Sequence, residues 1–293
     1  MIRVFFVRLF LRLMSWLPLP VIHRIGALLG RVFYLVNNDM RATARTNLKL
    51  CFPEWDEVRR EQLVRDSLQE TAKAALESGA LWLWPTDRVL RLVQQVSGSE
   101  LLEHAMAQGK GVILAIPHLG AWEVVGLYGS KRWPMTSLYR PPRMAGLDAM
   151  IRGGRERAGA KLVPTDAGGV RALYKALNRG ELVAILPDQD PDRESGVFAD
   201  FFGVQANTMT LLSRLTRKTA AAVLVTYAER LPNGAGYHLH IVPAPEQLSD
   251  KDGMIAANSL NHGVEHCVRT LPAQYQWAYK RFKTRPAGEK KIY

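Results

Sequence analysis

Hydrophobic positions change rhythm three times along the chain. Met1 to Leu17 and Val21 to Val36 are almost continuously apolar, divided by Leu17-Pro-Leu-Pro20 and punctuated by Arg3, Arg8, Arg12, Arg24 and Arg31. A spanning helix needs ~20 apolar residues with few charges, and neither half supplies them. An arginine at the bilayer centre costs at least ~2.5 kcal/mol on insertion scales. Two amphipathic helices lying in a membrane interface fit better, with arginines toward lipid phosphates and leucine and phenylalanine toward acyl chains. One tilted span with snorkelling arginines is the alternative, and two ordinary core helices are the competing reading. No small-x-small cleavage site follows the first apolar run, which argues against a secretory signal. Residues 1–37 are therefore expected to form a membrane-anchoring helical segment.

The second regime runs from Asp56 to about Leu83. Val58, Leu63, Val64 and Leu68 recur there at near-helical spacing with charges between them, predicting one long amphipathic helix that Leu81-Trp-Leu-Trp-Pro85 ends.

From Gly109 onward, short apolar runs alternate with helical patterns. Strands are predicted at Val112–Pro117, Thr136–Arg140, Lys161–Pro164, Leu182–Pro187, Ala221–Ala228 and Tyr237–Val242. Helices are predicted at Trp122–Gly129, Met144–Ala158, Val170–Asn178, Thr208–Thr219 and Ser259–Leu271. This alternation predicts an α/β fold, a single domain over residues 38–293 with a mostly parallel central sheet flanked by helices.

Composition narrows the partners. The net charge is +12, which favours acidic ones: nucleic acid, anionic lipid headgroups, phosphorylated substrates or an acidic carrier protein. No helix-turn-helix, zinc-finger or RNA-binding sheet signature supports nucleic acid. The two cysteines, Cys51 and Cys267, lie far apart without metal-ligand spacing, so neither a disulfide framework nor a zinc site is expected, and a reducing, cytosol-facing location fits. His238 and His240 alternate along one predicted strand and could hold a metal, but no carboxylate or cysteine has matching spacing, so a solvent-facing pair is expected.

The chemistry gathers at strand ends. Pro117 ends the strongest apolar run, His118 follows in the turn, and Gly120 lets the chain enter a helix carrying Glu123. Open α/β sheets place ligands at the carboxyl ends of their strands. With His118 in the turn and Glu123 on the first helical turn, the carboxylate is expected to reach back and fix the ring tautomer, leaving the other nitrogen as a base; a helix cap with Glu123 complementing the dipole is the alternative. Asp188-Gln-Asp190 follows a second strong strand and converges on His118 if those strands are neighbours; a turn pairing Asp188 with Arg193 is the alternative. Arg140, Arg152, Arg155 and Arg157 would add positive charge at the same edge, although at least one of the last three is expected on a solvated helix face. There is no G-x-S-x-G elbow, P-loop or strand-linked G-x-G-x-x-G, which argues against a serine hydrolase, a P-loop enzyme and a dinucleotide cofactor.

The chain resembles the bacterial lipid A late acyltransferases, the lauroyl/myristoyl group of the glycerolipid acyltransferase superfamily. Matching pieces occur in the family's order: the apolar N-terminus, Asn47-Leu-Lys-Leu-Cys-Phe-Pro-Glu54, His118-x4-Glu123, Tyr139-Arg-Pro141, Gly154-Arg155-Glu-Arg157, Pro187-Asp188-Gln-Asp190 and Arg281-Phe-Lys-Thr-Arg-Pro286. The family often has His where this chain has Gln189. The resemblance implies acyl transfer from acyl carrier protein to a hydroxyl of a lipid A precursor at the inner membrane, catalytic domain on the cytoplasmic side, with anionic membrane lipids as further partners. His118 and Glu123 would be the catalytic dyad. Arg140, Arg155, Arg157 and Asp188 would bind substrate, and Lys280, Arg281, Lys283 and Arg285 would meet either acidic partner. No cofactor and no metal are implied. A related enzyme acting on a glycerophospholipid, glycolipid or ornithine-type lipid, and a non-catalytic membrane-surface binding protein, are the alternatives.

Overall fold

Pro18 divides the apolar N-terminal run into helices α1 (Ile2–Trp16) and α2 (Leu19–Leu35) in a computed structural model that describes residues 2–293. Helix α3 (Asp39–Cys51) is capped by the Asn38 side chain and α4 (Glu57–Leu83) by Asp56, each accepting from a first-turn N–H that would otherwise lack a partner. After a short helix α5 (Thr86–Leu90) come β1 (Val93–Ser97), α6 (Ser99–Ala107), β2 (Val112–Ala115), α7 (Trp122–Arg132) and β3 (Met135–Tyr139). Next are α8 (Asp148–Glu156), β4 (Ala160–Pro164), α9 (Ala167–Asn178) and β5 (Leu182–Ile185). A hairpin, β6 (Gly196–Phe201) and β7 (Val204–Met209), leads into α10 (Leu211–Thr219), β8 (Ala222–Arg230), β9 (Tyr237–Pro243) and α11 (Gly253–Thr270).

The main sheet has the order β1-β9-β8-β2-β5-β3-β4. Every pairing is parallel except β8 with β9. The expected α/β domain with a mostly parallel sheet is therefore found. Strand β2 is apolar on both sides because both faces are covered. Ile113 and Ala115 join a core closed by α3, α9, α10 and α11. Val112 and Leu114 face the other way, onto α2, α6 and α7. The long helix α4 contributes to both cores, through Leu63, Val64 and Leu68 on one side and Leu76, Ala80 and Leu81 on the other.

Helix α3 has no counterpart among the predicted elements, and two further features differ from the periodicity. The β6–β7 hairpin is not anticipated, and Thr208 belongs to β7 rather than opening a helix. Its two-residue turn is Phe202-Gly203, both at positive φ, a geometry usually signalled by Asn-Gly. Phenylalanine at the first place hides the signal. The pair β1 and α6 is likewise missed, because the polar run Gln94-Gln95 interrupts the strand pattern.

Helix α2 lies close against α4. A Cβ on Gly30 would come within 2.3 Å of the Gln69 Cα, and one on Gly26 within 2.7 Å of the Lys73 Cα, so both positions require a residue without a side chain. Beside this contact sits a buried charge cluster. Glu77 receives His23 Nε2 at 2.8 Å, Arg230 Nε at 2.7 Å and the Tyr237 hydroxyl at 3.1 Å. Burial alone would push the Glu77 carboxyl up; the opposing charge of Arg230 and the hydrogen bond from His23 outweigh it and hold it below the ordinary carboxylate range.

Among the described residues no single helix is long and apolar enough to cross a membrane; α2 and α3 reach that length and composition only as a pair bent by 82°. The outer faces of α1 and α2 nevertheless expose Phe5, Phe6, Phe10, Trp16, Leu28 and Leu35.

Removing one partner of a buried pair strands the other. Arg230→Ala is expected to lower stability by about 3–5 kcal/mol in denaturant unfolding, and the double variant Glu77→Gln/Arg230→Met by less than the sum of its single changes. Because the Glu77 carboxyl is depressed in the fold, its contribution is full above the unfolded value of about 4.3 and is lost as pH falls through the lower folded value. The unfolding temperature should therefore drop on acidification below about pH 4, and less steeply in the double variant.

Candidate active site

His118 stands just past β2, where Pro117 has ended the ladder, and Asp188 stands just past β5 after Pro187. These strands are adjacent and in register, Ala115 opposite Ile185, so the two turns emerge side by side. Asp188 Oδ1 lies 2.8 Å from His118 Nδ1, and Oδ2 accepts the His118 backbone N–H at 2.8 Å. One carboxylate thus holds both the ring and the chain that carries it. Burial would push the Asp188 carboxyl up, but the charge of His118 and these hydrogen bonds hold it below the ordinary range. An ionised carboxylate only accepts, so Nδ1 carries a proton, and whenever the ring is in its neutral form the lone pair lies on Nε2. The Gln189 amide approaches that atom at 3.1 Å as a donor.

The turn between β2 and α7 is fixed from three sides. Gly120 adopts φ +61°, and a Cβ there would meet the Ala228 carbonyl at 1.9 Å. Ala121 donates to that carbonyl at 2.7 Å, Gly120 donates to the Gln274 carbonyl at 3.1 Å, and Gln276 donates to the His118 carbonyl at 3.2 Å. The buried Arg230 guanidinium donates to the Gly120 carbonyl at 2.8 Å.

Glu123 does not meet the imidazole. Its carboxylate receives Arg155 of α8 in a forked pair, Nη2 to Oε1 at 2.5 Å and Nε to Oε2 at 2.9 Å. The expectation that Glu123 reaches back to the ring is corrected: starting on the first turn of α7, the side chain points toward α8, and the strand next door supplies the ring's carboxylate. Asp188 is likewise drawn to His118 rather than to Arg193.

Beside the ring opens a cavity of about 370 Å³, walled by Glu70, Ala74 and Ser78 of α4 and by Trp122, Glu123 and Arg155. A smaller, mostly apolar cavity of about 60 Å³ shares Trp82, Trp122, Glu123 and Arg155 with it and runs on to Met135, Leu138 and Leu162. His118 lines neither cavity; its nearest link to them is Trp122, which lines both and whose ring centroid is 5.1 Å from the imidazole. Gly154 lets α8 close on α4, since a Cβ there would lie 2.7 Å from the Trp82 Cβ.

The predicted arginines separate. Arg140 lies at the cavity rim, largely exposed and only 3.8 Å from Asp192. Arg157 instead donates to the Leu81 carbonyl at 2.6 Å, tying α8 to the end of α4, and lines neither cavity. Arg152 pairs along its own helix with Asp148 and Glu156. At the carboxyl terminus, Arg281 is buried on the Asn207 carbonyl and the Thr208 hydroxyl, and Arg285 donates to the Gln205 carbonyl, so both clasp β7. Lys280 and Lys283 remain at the surface. Sequence reasoning missed Trp122, Trp82, Arg230 and Glu77; their roles arise from contacts between distant elements, which local spacing does not record.

The family model for bacterial lipid A biosynthesis acyltransferases matches residues 1–284. The chain is 33% identical over 273 residues to a lipid A biosynthesis lauroyltransferase of Escherichia coli K12, covering 93% of this chain and 88% of that one. It is 32% identical over 281 residues to the palmitoleoyltransferase of the same organism, covering 94% and 90%. With the myristoyltransferase it shares 28% over 273 residues, covering 92% and 82%. A strand-end histidine held by a buried carboxylate and flanked by a cavity thus sits on a chain matched along nearly its whole length: the protein belongs to the bacterial lipid A biosynthesis acyltransferase family.

Proposed function

We infer that this acyltransferase moves a fatty acyl group from the thioester of acyl carrier protein to a hydroxyl of a lipid A precursor, with His118 as the base. The observation that carries the reading is the Asp188–His118 contact of 2.8 Å on Nδ1, which leaves Nε2 to accept a proton. The acceptor hydroxyl takes the place of the Gln189 amide at Nε2. Its proton passes to Nε2 as its oxygen bonds to the thioester carbonyl carbon, and the carbonyl becomes an oxyanion. Collapse reforms the carbonyl and breaks the carbon–sulfur bond, and Nε2 returns the proton to the departing thiolate. Asp188 keeps the ring oriented and balances its charge while it is protonated. The thioester is already activated, so the transfer needs no metal or cofactor.

Glu123 acts through Arg155. The forked pair aims the guanidinium at the cavity wall, where a developing oxyanion or a sugar phosphate of the acceptor would meet it. Arg140 at the rim adds a second cation for phosphate. The apolar inner cavity takes the end of an acyl chain, and Trp82 and Trp122 stand where it meets the larger one. The exposed apolar faces of α1 and α2, with their arginines, lie in the cytoplasmic interface of the inner membrane and bring the cavity to an acceptor whose acyl chains stay in the bilayer. The net charge of +12 draws both anionic lipid and an acidic carrier.

In an assay with purified acyl carrier thioester and lipid A precursor, with the product mapped by mass spectrometry, His118→Ala should abolish transfer. Asp188→Asn should lower kcat by about 10³–10⁴, the scale seen when an orienting carboxylate is neutralised. Glu123→Gln and Arg155→Ala should lower it by about 10²–10³, as for loss of one transition-state donor. Near-normal turnover by Asp188→Asn together with a dead Glu123→Gln would return the ring-holding role to Glu123. Separately, Phe6→Glu/Leu28→Glu should weaken binding to anionic vesicles in sedimentation while leaving the folded circular dichroism spectrum unchanged.

A further inference from the structure

Away from the catalytic turn, three potential metal ligands meet on the β8–β9 ribbon. Glu229 lies opposite His238 in the antiparallel register, and His240 lies two residues further along the same strand face. Their ligand atoms all fall within 4.8 Å of one another, and all three residues are half-buried. Glu229 Oε2 is 2.9 Å from His240 Nε2 and 3.9 Å from His238 Nδ1. A tetrahedral zinc ion with bonds of about 2.0–2.2 Å needs donors about 3.3–3.5 Å apart, so these two separations bracket the requirement and small side-chain rotations reach it.

The surroundings fit a ligand set. Ser97 Oγ on β1 lies 2.8 Å from His238 Nε2. A hydroxyl there accepts the Nε2–H and so turns the Nδ1 lone pair toward the carboxylate, the outer contact that metal-binding histidines usually have. The Tyr227 ring stacks on His240 at 4.6 Å and 11°, limiting its rotation. Two histidines on alternate residues of one strand and a carboxylate from its neighbour leave a fourth position for water. None of the three lines either cavity.

We propose that Glu229, His238 and His240 form a divalent transition-metal site of the zinc class, distinct from the acyl-transfer centre. The ion replaces the proton that His240 Nε2 shares with Glu229, and that proton leaves to solvent. It would tie β9 to the carboxyl end of β8. The two residues flanking Glu229 both grip the catalytic turn: the Ala228 carbonyl accepts from Ala121, and the Arg230 side chain donates to Gly120. The site's effect is thus on the rigidity of that end of the sheet and not on the chemistry.

Zinc titrated calorimetrically into the full chain, purified without a histidine tag, should show one equivalent bound and raise the unfolding midpoint by a few degrees. His240→Gln and Glu229→Gln should each lose that equivalent and the shift. On the wild-type protein, zinc should shield His238 and His240 from diethyl pyrocarbonate, mapped by peptide mass spectrometry, while His104 reacts as before. Equal modification of all three histidines with and without zinc, or an undiminished equivalent in both variants, overturns the proposal.

Discussion

The guanidinium of Arg230 is the contact on which the arrangement turns. It is almost wholly buried at the end of β8, and it joins Glu77 of α4 to the carbonyl of Gly120, two residues beyond His118. A buried arginine is tolerable only when its donors are satisfied, and here the partners are a carboxylate and a backbone carbonyl from different layers of the fold. Glu77 in turn takes His23 from α2. Helix α2, the long helix α4 and the turn that carries His118 are therefore bound into one polar cluster. Each member would be left as an unpaired buried group if the others moved, which fixes their relative placement more firmly than apolar packing alone.

Neighbouring parallel strands deliver His118 and Asp188 to the same edge, and a proline after each strand stops the ladder where the side chain must leave it. The carboxylate grips both the imidazole and the histidine's own N–H, so one side chain fixes the ring and its backbone together. Glu123 and Arg155 then form a second, separate pair across α7 and α8 at the cavity wall. The two carboxylates thus have different partners: Asp188 faces a ring, Glu123 a guanidinium.

The main strands and the long helix were legible because burial on both faces, or on one stripe, leaves a periodic trace. The proximity of His118 to Asp188 was legible only as a condition, since it depends on which strands are neighbours. Which acid holds the ring was not legible: His118-x4-Glu123 draws attention to the acid nearby in sequence, whereas the contact is made across the sheet between residues 70 positions apart. The basic carboxyl-terminal motif misled in a similar way. Arg281 and Arg285 look like surface charge, yet their guanidinium groups satisfy carbonyls of the β6–β7 hairpin, whose turn signal Phe202 conceals. Arg157 is also committed to backbone, so the formal charge overstates how many cations a partner can meet.

With Gly26 and Gly30 of α2 pressed against the α4 backbone, the two helices cannot roll over each other. Helix α2 presents Leu28 and Leu35 outward, while α4 presents Glu70, Ala74 and Ser78 to the cavity. If the first surface rests in lipid, the height of the cavity mouth above the headgroups is set by a fixed spacer one helix thick. Such a gauge would favour acceptors whose reactive hydroxyl lies at one depth, whatever the length of the chain being delivered.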